Sequence, residues 1–81
     1  MAKEHKVLLY RTSGCIWCHK TEEYFDAHKI KFKEIYVDQD QKAAREMIKK
    51  SGQMGVPVID IDGQIIVGYD VESFKKLLGI N

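Results

Sequence analysis

Blocks of apolar residues separated by polar turns predict four β-strands. Residues 7–10 form a continuous apolar run, which is typical of a central strand covered on both faces. Residues 31–38 predict a second strand, with Phe32 and Tyr36 on one face and Ile35 and Val37 on the other. Residues 58–61 and 65–67 flank the pair Asp62–Gly63 and predict a β-hairpin.

The segments between these strands carry apolar residues at helical spacing. A first helix is predicted over about residues 16–29, after the polar turn 12–14. A second helix follows a cap at Asp38 or Asp40 and ends at Ser51–Gly52, and Asp70 caps a third that ends before Gly79. The predicted inward positions are Cys18, Thr21, Tyr24, Phe25 and His28, then Ala43, Ala44, Met47 and Ile48, then Val71, Phe74, Leu77 and Leu78.

The element order is β-α-β-α-β-β-α. It predicts a parallel βαβ unit followed by an antiparallel hairpin, in a four-stranded mixed sheet flanked by helices. The 81 residues suffice for one modest core, so we expect a single α/β domain over residues 1–81. Ligands of such sheets bind beyond the carboxyl ends of the parallel strands, where the turn after the first strand falls.

Composition narrows the classes of partner. A formal net charge of +1, with basic and acidic residues interleaved, predicts binding to neither nucleic acid nor a membrane surface. No apolar stretch approaches the roughly 20 residues of a membrane span, and the run at residues 7–10 is too short for the apolar part of a signal peptide. We therefore expect a cytoplasmic protein.

The candidate chemistry lies in the pair Cys15 and Cys18, the two cysteines of the chain. The predicted start of the first helix offers unpaired N–H groups and the positive end of the helix dipole, which favour a thiolate there, most of all at the more exposed Cys15. A thiolate with a second thiol three residues on is suited to disulfide exchange. In a reducing compartment such a pair is catalytic or metal-binding rather than a structural disulfide.

Two metal-containing alternatives use the same sulfurs. The run from Cys15 to His19 fits the C-x-x-C-H pattern of covalent haem attachment, although a βαβ setting argues against haem. Zinc could recruit Cys15, Cys18 and His19, but His5 and His28 are isolated and no paired fourth ligand follows. We therefore expect no metal ligands.

Three motifs together resemble glutaredoxins and the glutaredoxin-like members of the thioredoxin superfamily. They are Cys15-x-x-Cys18 between the first strand and helix, Gly55-Val56-Pro57 before the hairpin, and Gly68-Tyr69-Asp70 before the last helix. The resemblance covers residues 6–78 and implies a thioredoxin-like fold. It also implies thiol-disulfide oxidoreductase activity, with glutathione as a co-substrate and no bound cofactor. As a further metal-containing alternative, it suggests an iron-sulfur cluster that bridges two monomers.

The resemblance assigns roles to single residues. It implies that Cys15 is the nucleophile, that Cys18 resolves the mixed disulfide, and that the Val56 backbone beside a cis Pro57 pairs with the bound disulfide or glutathione. Gly68, Tyr69 and Asp70 match the segment that holds the γ-glutamyl end of glutathione, and Arg11 lies near the position that meets its glycine carboxylate. Trp17, a large aromatic residue within the turn, is well placed to touch a partner.

The chain departs from the usual glutaredoxin pattern where partners are recognised. Ile16–Trp17 stands where Pro-Tyr is common, and Val71 stands where a polar residue usually helps to bind glutathione. The pattern is similar to glutaredoxin-like proteins that are reduced by a thioredoxin-reductase-type flavoprotein instead of glutathione. The expected substrates are disulfide-containing proteins, and the electron acceptors implied by the resemblance include ribonucleotide reductase and peroxidases. We expect the protein to be a monomer.

Overall fold

The computed structural model describes residues 5–80, and their element order confirms the predicted one. None of the helices in this range is long and apolar enough to cross a membrane. The elements are β1 (Val7–Arg11), α1 (Ile16–Ala27), β2 (Lys33–Tyr36), α2 (Gln41–Ser51), β3 (Val58–Ile61), β4 (Gln64–Val67) and α3 (Val71–Leu78).

The four strands form one mixed sheet in the order β2-β1-β3-β4. β1 runs parallel to β2, and β3 runs antiparallel to both β1 and β4. Tyr10 near the end of β1 pairs with Val58 at the start of β3, which pairs with Val67 at the end of β4. The loops after β1, before β3 and after β4 therefore leave the sheet at the same edge.

Strand alternation divides the core between the two faces of the sheet. The face covered by α1 and α3 buries Val7, Leu9, Phe25, Ile59, Ile61, Ile66, Phe74 and Leu78. The face covered by α2 buries Tyr10, Met47 and Val58. The prediction that Ile48 belongs to the core is wrong, because this side chain is 37% exposed at the edge of the α2 stripe.

Local hydrogen bonds explain where the helices and turns end. Asp40 caps α2 by accepting bonds from the amides of Lys42 and Ala43, both at 3.1 Å, so Asp38 is not the cap. Asp62 and Gly63 both have positive φ, 53° and 90°, as a two-residue hairpin of type I′ requires.

The first helix ends earlier than its sequence pattern predicts. Lys29 adopts a left-handed φ of 57°, and the Ile30 amide reaches back to the Phe25 carbonyl at 2.8 Å. His28 consequently lies beyond the helix and is exposed, which corrects its predicted inward position. Its ring packs on Tyr24 instead, with the ring centroids 4.3 Å apart.

Candidate active site

Three segments meet at the sheet edge where β1 and β4 end. They are the cysteine turn after β1, the Val56–Pro57 segment before β3 and residues 68–70 after β4. The Gly68 amide donates a 2.9 Å hydrogen bond to the Pro57 carbonyl, which ties the second segment to the third. The Val56–Pro57 peptide is cis, and Pro57 is buried while Val56 is half-buried.

Cys15 is the N-cap residue of α1. Its backbone is extended, and its Sγ accepts a 3.1 Å hydrogen bond from the Cys18 amide, one of the unpaired N–H groups at the start of the helix. The side chain is half-buried and carries a free thiol. An N–H donor and the positive end of a helix both favour negative charge on this sulfur.

Cys18 lies beneath Cys15 on the inner face of the helix and is completely buried. Burial and, after it, the hydrogen bond with Cys15 raise the pKa of the Cys18 thiol from 9.0 to about 12. At neutral pH Cys18 is therefore protonated and shielded, and Cys15 is the sulfur of the pair that an external disulfide reaches.

The loop after β2 holds the cysteine turn in place. The Asp38 carboxylate accepts hydrogen bonds from the Ser13 amide at 3.4 Å and from the Ser13 hydroxyl at 3.2 Å, and Gln39 donates to the same hydroxyl at 3.4 Å. The sequence pattern predicts Asp38 only as a candidate helix cap. Its position just after the second parallel strand was the available signal, since both loops leave the sheet at the edge where ligands bind.

Trp17 and Tyr69 form one wall of a shallow depression beside the cysteines. Their ring centroids are 5.9 Å apart, and 55% of Trp17 is exposed. The depression measures about 340 Å³ and is also lined by Lys20, Glu23 and Tyr24, with Lys20 Nζ 5.8 Å from the Trp17 ring centre. Lys20 and Glu23 are not among the site residues predicted from the sequence, although both lie within two turns of Trp17 on α1.

Asp70 is the N-cap of α3 and is exposed. Its carboxylate accepts bonds from the Ser73 amide at 3.2 Å and from the Ser73 hydroxyl at 2.7 Å, and these bonds lower the pKa of Asp70 below its ordinary value. Gly68, with φ of 90°, makes the turn that leads to it. The carboxylate is thus engaged by its own helix.

Arg11 is bound to carboxylates of the protein itself. Its side chain is directed into the protein and is only 5% exposed. The guanidinium is bound to Glu22 at 3.1 Å and to Glu34 at 3.3 Å, so its charge is engaged within the protein. Strand alternation explains the placement, since Arg11 shares a face of β1 with the buried Leu9.

Comparison with known proteins agrees with this arrangement. A family model described as Glutaredoxin matches residues 7–66, a range that includes both cysteines and the cis proline. The chain belongs to the glutaredoxin family. Its thioredoxin-like fold, expected from the motif resemblance, is thereby confirmed.

Relatives of this glutaredoxin support the assignment along most of its length. An uncharacterized glutaredoxin-like 8.6 kDa protein in the rubredoxin operon of Clostridium pasteurianum is 44% identical over 72 residues, which are 89% of this chain and 96% of the relative. Glutaredoxin 3 of Escherichia coli is 36% identical over 64 residues, 79% of this chain and 77% of the relative. The NrdH-redoxin structure of Escherichia coli has the same fold, with a TM-score of 0.80, 22% identity and coverage of 89% and 93% of the two chains.

Metal binding depends on how the candidate ligand side chains of this glutaredoxin are grouped. Among residues 5–80, no group of three or more His, Cys, Asp or Glu side chains is arranged to hold an ion. His19, a candidate ligand from the sequence, instead lies 3.5 Å from Glu22 and 3.8 Å from Glu23 on its own helix.

Proposed function

We propose that this glutaredoxin reduces disulfides through a Cys15–Cys18 dithiol. The Cys15 thiolate attacks one sulfur of a substrate disulfide, forms a mixed disulfide and expels the other sulfur as a thiolate. Cys18 then loses its proton and attacks Cys15 Sγ, which breaks the mixed disulfide and releases the second substrate sulfur as a thiolate. Two electrons pass to the substrate, and the Cys15–Cys18 disulfide remains.

The observation that carries this proposal is the different placement of two sulfurs on one helical turn. Cys15 Sγ caps the helix 3.1 Å from the Cys18 amide and is half-buried, whereas Cys18 is wholly buried. The first sulfur is the one that the substrate reaches, and the second is kept protonated until a mixed disulfide brings an electrophilic sulfur next to it.

The two cysteine variants test these roles separately. Cys15→Ser should abolish reduction of an insulin or model disulfide, because no nucleophile remains at the surface. Cys18→Ser should still attack but stop at the mixed disulfide, which mass spectrometry detects as a covalent adduct on Cys15. Full reductase activity in Cys15→Ser would refute the proposal, and metal analysis of anaerobically purified protein checks whether the thiols are occupied by zinc or an iron-sulfur cluster instead.

The electron donor that we propose is a thioredoxin-reductase-type flavoprotein rather than glutathione. Val71 lies at the start of α3 where glutaredoxins usually place a polar residue for glutathione, and it packs half-buried against the core. The glutathione end of the site also lacks Arg11, whose charge is bound to Glu22 and Glu34. NrdH-redoxin, which shares this fold, is described as glutaredoxin-like with a thioredoxin-like activity profile.

A coupled assay distinguishes the two donors. Disulfide substrate and NADPH are supplied with either glutathione and its reductase or the flavoprotein, and NADPH consumption is followed. We expect turnover with the flavoprotein and little with glutathione. Val71→Thr, a change of one methyl to a hydroxyl, should raise the glutathione-dependent rate alone, while equal rates with both donors in the unmodified protein would contradict the proposal.

The acceptors that we propose are cytoplasmic proteins with a reducible disulfide, with ribonucleotide reductase and peroxidases as the classes to test first. The Clostridium relative lies in a rubredoxin operon, which is consistent with a redox role in this branch of the family. A Cys18→Ser protein used as bait in a lysate should retain such acceptors through a disulfide that dithiothreitol releases.

A further inference from the structure

Arg11 lies in the same buried layer as Cys18. β1 directs Leu9 and Arg11 to the face that α1 covers, and Cys18 lies on the inner face of α1. Arg11 is 5% exposed and Cys18 is fully buried. A guanidinium held in this layer interacts with a neighbouring sulfur without the screening of bulk water.

The contacts of Arg11 fix its position beside the N-terminal half of α1. Its Nη1 binds Glu22, which follows Cys18 by four residues and so lies one helical turn further along the same side of α1. The guanidinium also binds Glu34 of β2, lies 5.0 Å from the Tyr36 ring centre and donates to the Thr12 carbonyl at 3.3 Å. Thr12 in turn provides a backbone hydrogen bond to Cys18.

We propose that Arg11 is a positioning residue for the second exchange step, in which it favours the negative charge that develops on Cys18. This inference rests on the proposed dithiol mechanism. In that step the Cys18 proton passes to solvent, Cys18 Sγ bonds to Cys15 Sγ, and the bond from Cys15 to the substrate sulfur breaks with release of a substrate thiolate. The first step needs no charge on Cys18, so Arg11 acts on the second step alone.

The electrostatics of the layer agree with this role. Burial raises the pKa of Cys18 to about 12, while the Thr12 backbone bond and the charge of Arg11 act in the opposite direction. Removal of Arg11 would take away a cation that acts on a sulfur that must become anionic, and it would leave Glu22 and Glu34 without this partner. The charged or titratable side chains around the pair are Cys15, His19, Glu22 and Glu23 on α1 and its cap, and Glu34 and Tyr36 on β2.

The experiment uses dithiobis-nitrobenzoate as the disulfide and follows the coloured thiolate in a stopped-flow instrument. Attack by Cys15 releases the first thiolate and attack by Cys18 releases the second, so the two steps appear as separate phases. Arg11→Gln should leave the first phase within about twofold and slow the second at least about tenfold at neutral pH, because an opposite charge shifts a nearby pKa by one unit or more. The pH at which the second phase is half-maximal should rise, and Arg11→Lys should restore most of the rate.

A second variant removes the carboxylates and keeps Arg11. Glu22→Gln/Glu34→Gln should accelerate the second phase severalfold, because the guanidinium charge is then no longer offset. This variant decides the matter if Arg11→Gln does not fold. The proposal is overturned if the double variant Glu22→Gln/Glu34→Gln has an unchanged second phase. It is also overturned if the second phase of Arg11→Gln keeps the original pH midpoint, or if Arg11→Lys behaves as Arg11→Gln. Absence of the first phase in unmodified protein would instead refute the dithiol function itself.

Discussion

Lys50 of α2 and Asp60 of β3 form an ion pair, with Nζ and Oδ2 2.8 Å apart, on the face of the sheet opposite the cysteine helix. Asp60 is 8% exposed, and its other oxygen accepts a bond from the Gly63 amide at 2.8 Å. Lys50 also donates to the Tyr10 hydroxyl at 2.8 Å. The bonds to Asp60 and Tyr10 raise the pKa of Lys50 above its ordinary value, so the amine stays charged at neutral pH.

Lys50→Met should destabilise the protein by about 2 kcal/mol, because it leaves a mostly buried carboxylate without its cation. The measurement is the free energy of unfolding from urea titration. Lys49→Met is the matched control, since Lys49 is the neighbouring exposed lysine of α2 and should change stability by less than about 0.5 kcal/mol. Equal losses in the two variants would show that the ion pair with Asp60 contributes nothing specific.

The capping bonds of Asp70 predict how the stability of the protein depends on acidic pH. Its pKa is lowered in the folded protein by the hydroxyl and amide of Ser73, so its contribution to stability is complete above the ordinary pKa of 3.8 and is lost as the pH falls through the lowered value. Asn at this position caps a helix without titrating. Unfolding midpoints of the unmodified protein and of Asp70→Asn should therefore differ in their dependence on pH below about 4, and parallel profiles would contradict this account of the cap.

Much of the fold is predictable because its signals are local. The caps Asp40 and Asp70 and the turn Asp62–Gly63 act within a few residues of themselves, and each lies where its sequence context predicts. The end of α1 at Ala27, earlier than the predicted residue 29, has no such local signal. Lys29 takes a left-handed conformation that its residue type does not favour, and the backbone bonds from Lys29 to Asp26 and from Ile30 to Phe25 hold it there.

The candidate site follows the same division. The cysteine spacing and the motif resemblance locate the chemistry, and helical periodicity places Cys18 on the inner side of α1. The environment of Arg11 depends on Glu22 and Glu34, which are 11 and 23 residues away along the chain. Such partners are set by how α1 and β2 pack on β1, and no local pattern encodes that packing.

Tyr24 shows a polar group whose burial is not compensated. Its hydroxyl is buried and has no hydrogen-bond partner among residues 5–80, and burial raises the pKa of this phenol. Its ring packs against Phe74 and Tyr69, with centroids 5.6 Å and 6.5 Å away. Packing of the ring therefore stabilises the folded protein, while burial of the hydroxyl without a partner lowers its stability.

Tyr24→Phe should therefore leave the free energy of unfolding unchanged or raise it by up to about 1 kcal/mol, because an unsatisfied polar group is removed and the ring is kept. Tyr24→Ala should lower it by about 3 kcal/mol through loss of the packed ring. Urea titration measures both. A loss in Tyr24→Phe close to that in Tyr24→Ala would show that the hydroxyl is bonded in solution.

Trp17 offers a direct spectroscopic view of the redox step. It is the one tryptophan of the chain, it directly precedes Cys18, and it is half-exposed against Tyr69. Formation of a Cys15–Cys18 disulfide moves sulfur into the turn that carries Trp17, so the intensity of tryptophan emission should change between dithiothreitol-reduced and oxidised protein.

The change should be absent in Cys18→Ser, which cannot close the disulfide, and this variant separates it from any direct effect of the oxidant. Cys18→Ser and the unmodified protein share Trp17, Tyr69 and Lys20, so solvent effects on the indole are matched. Identical emission from the two redox states of the unmodified protein would mean that Trp17 does not sense the turn. The Trp17–Tyr69 wall of the depression would then not respond to the redox state of the dithiol. A partner bound to this wall could not distinguish reduced from oxidised protein through this contact.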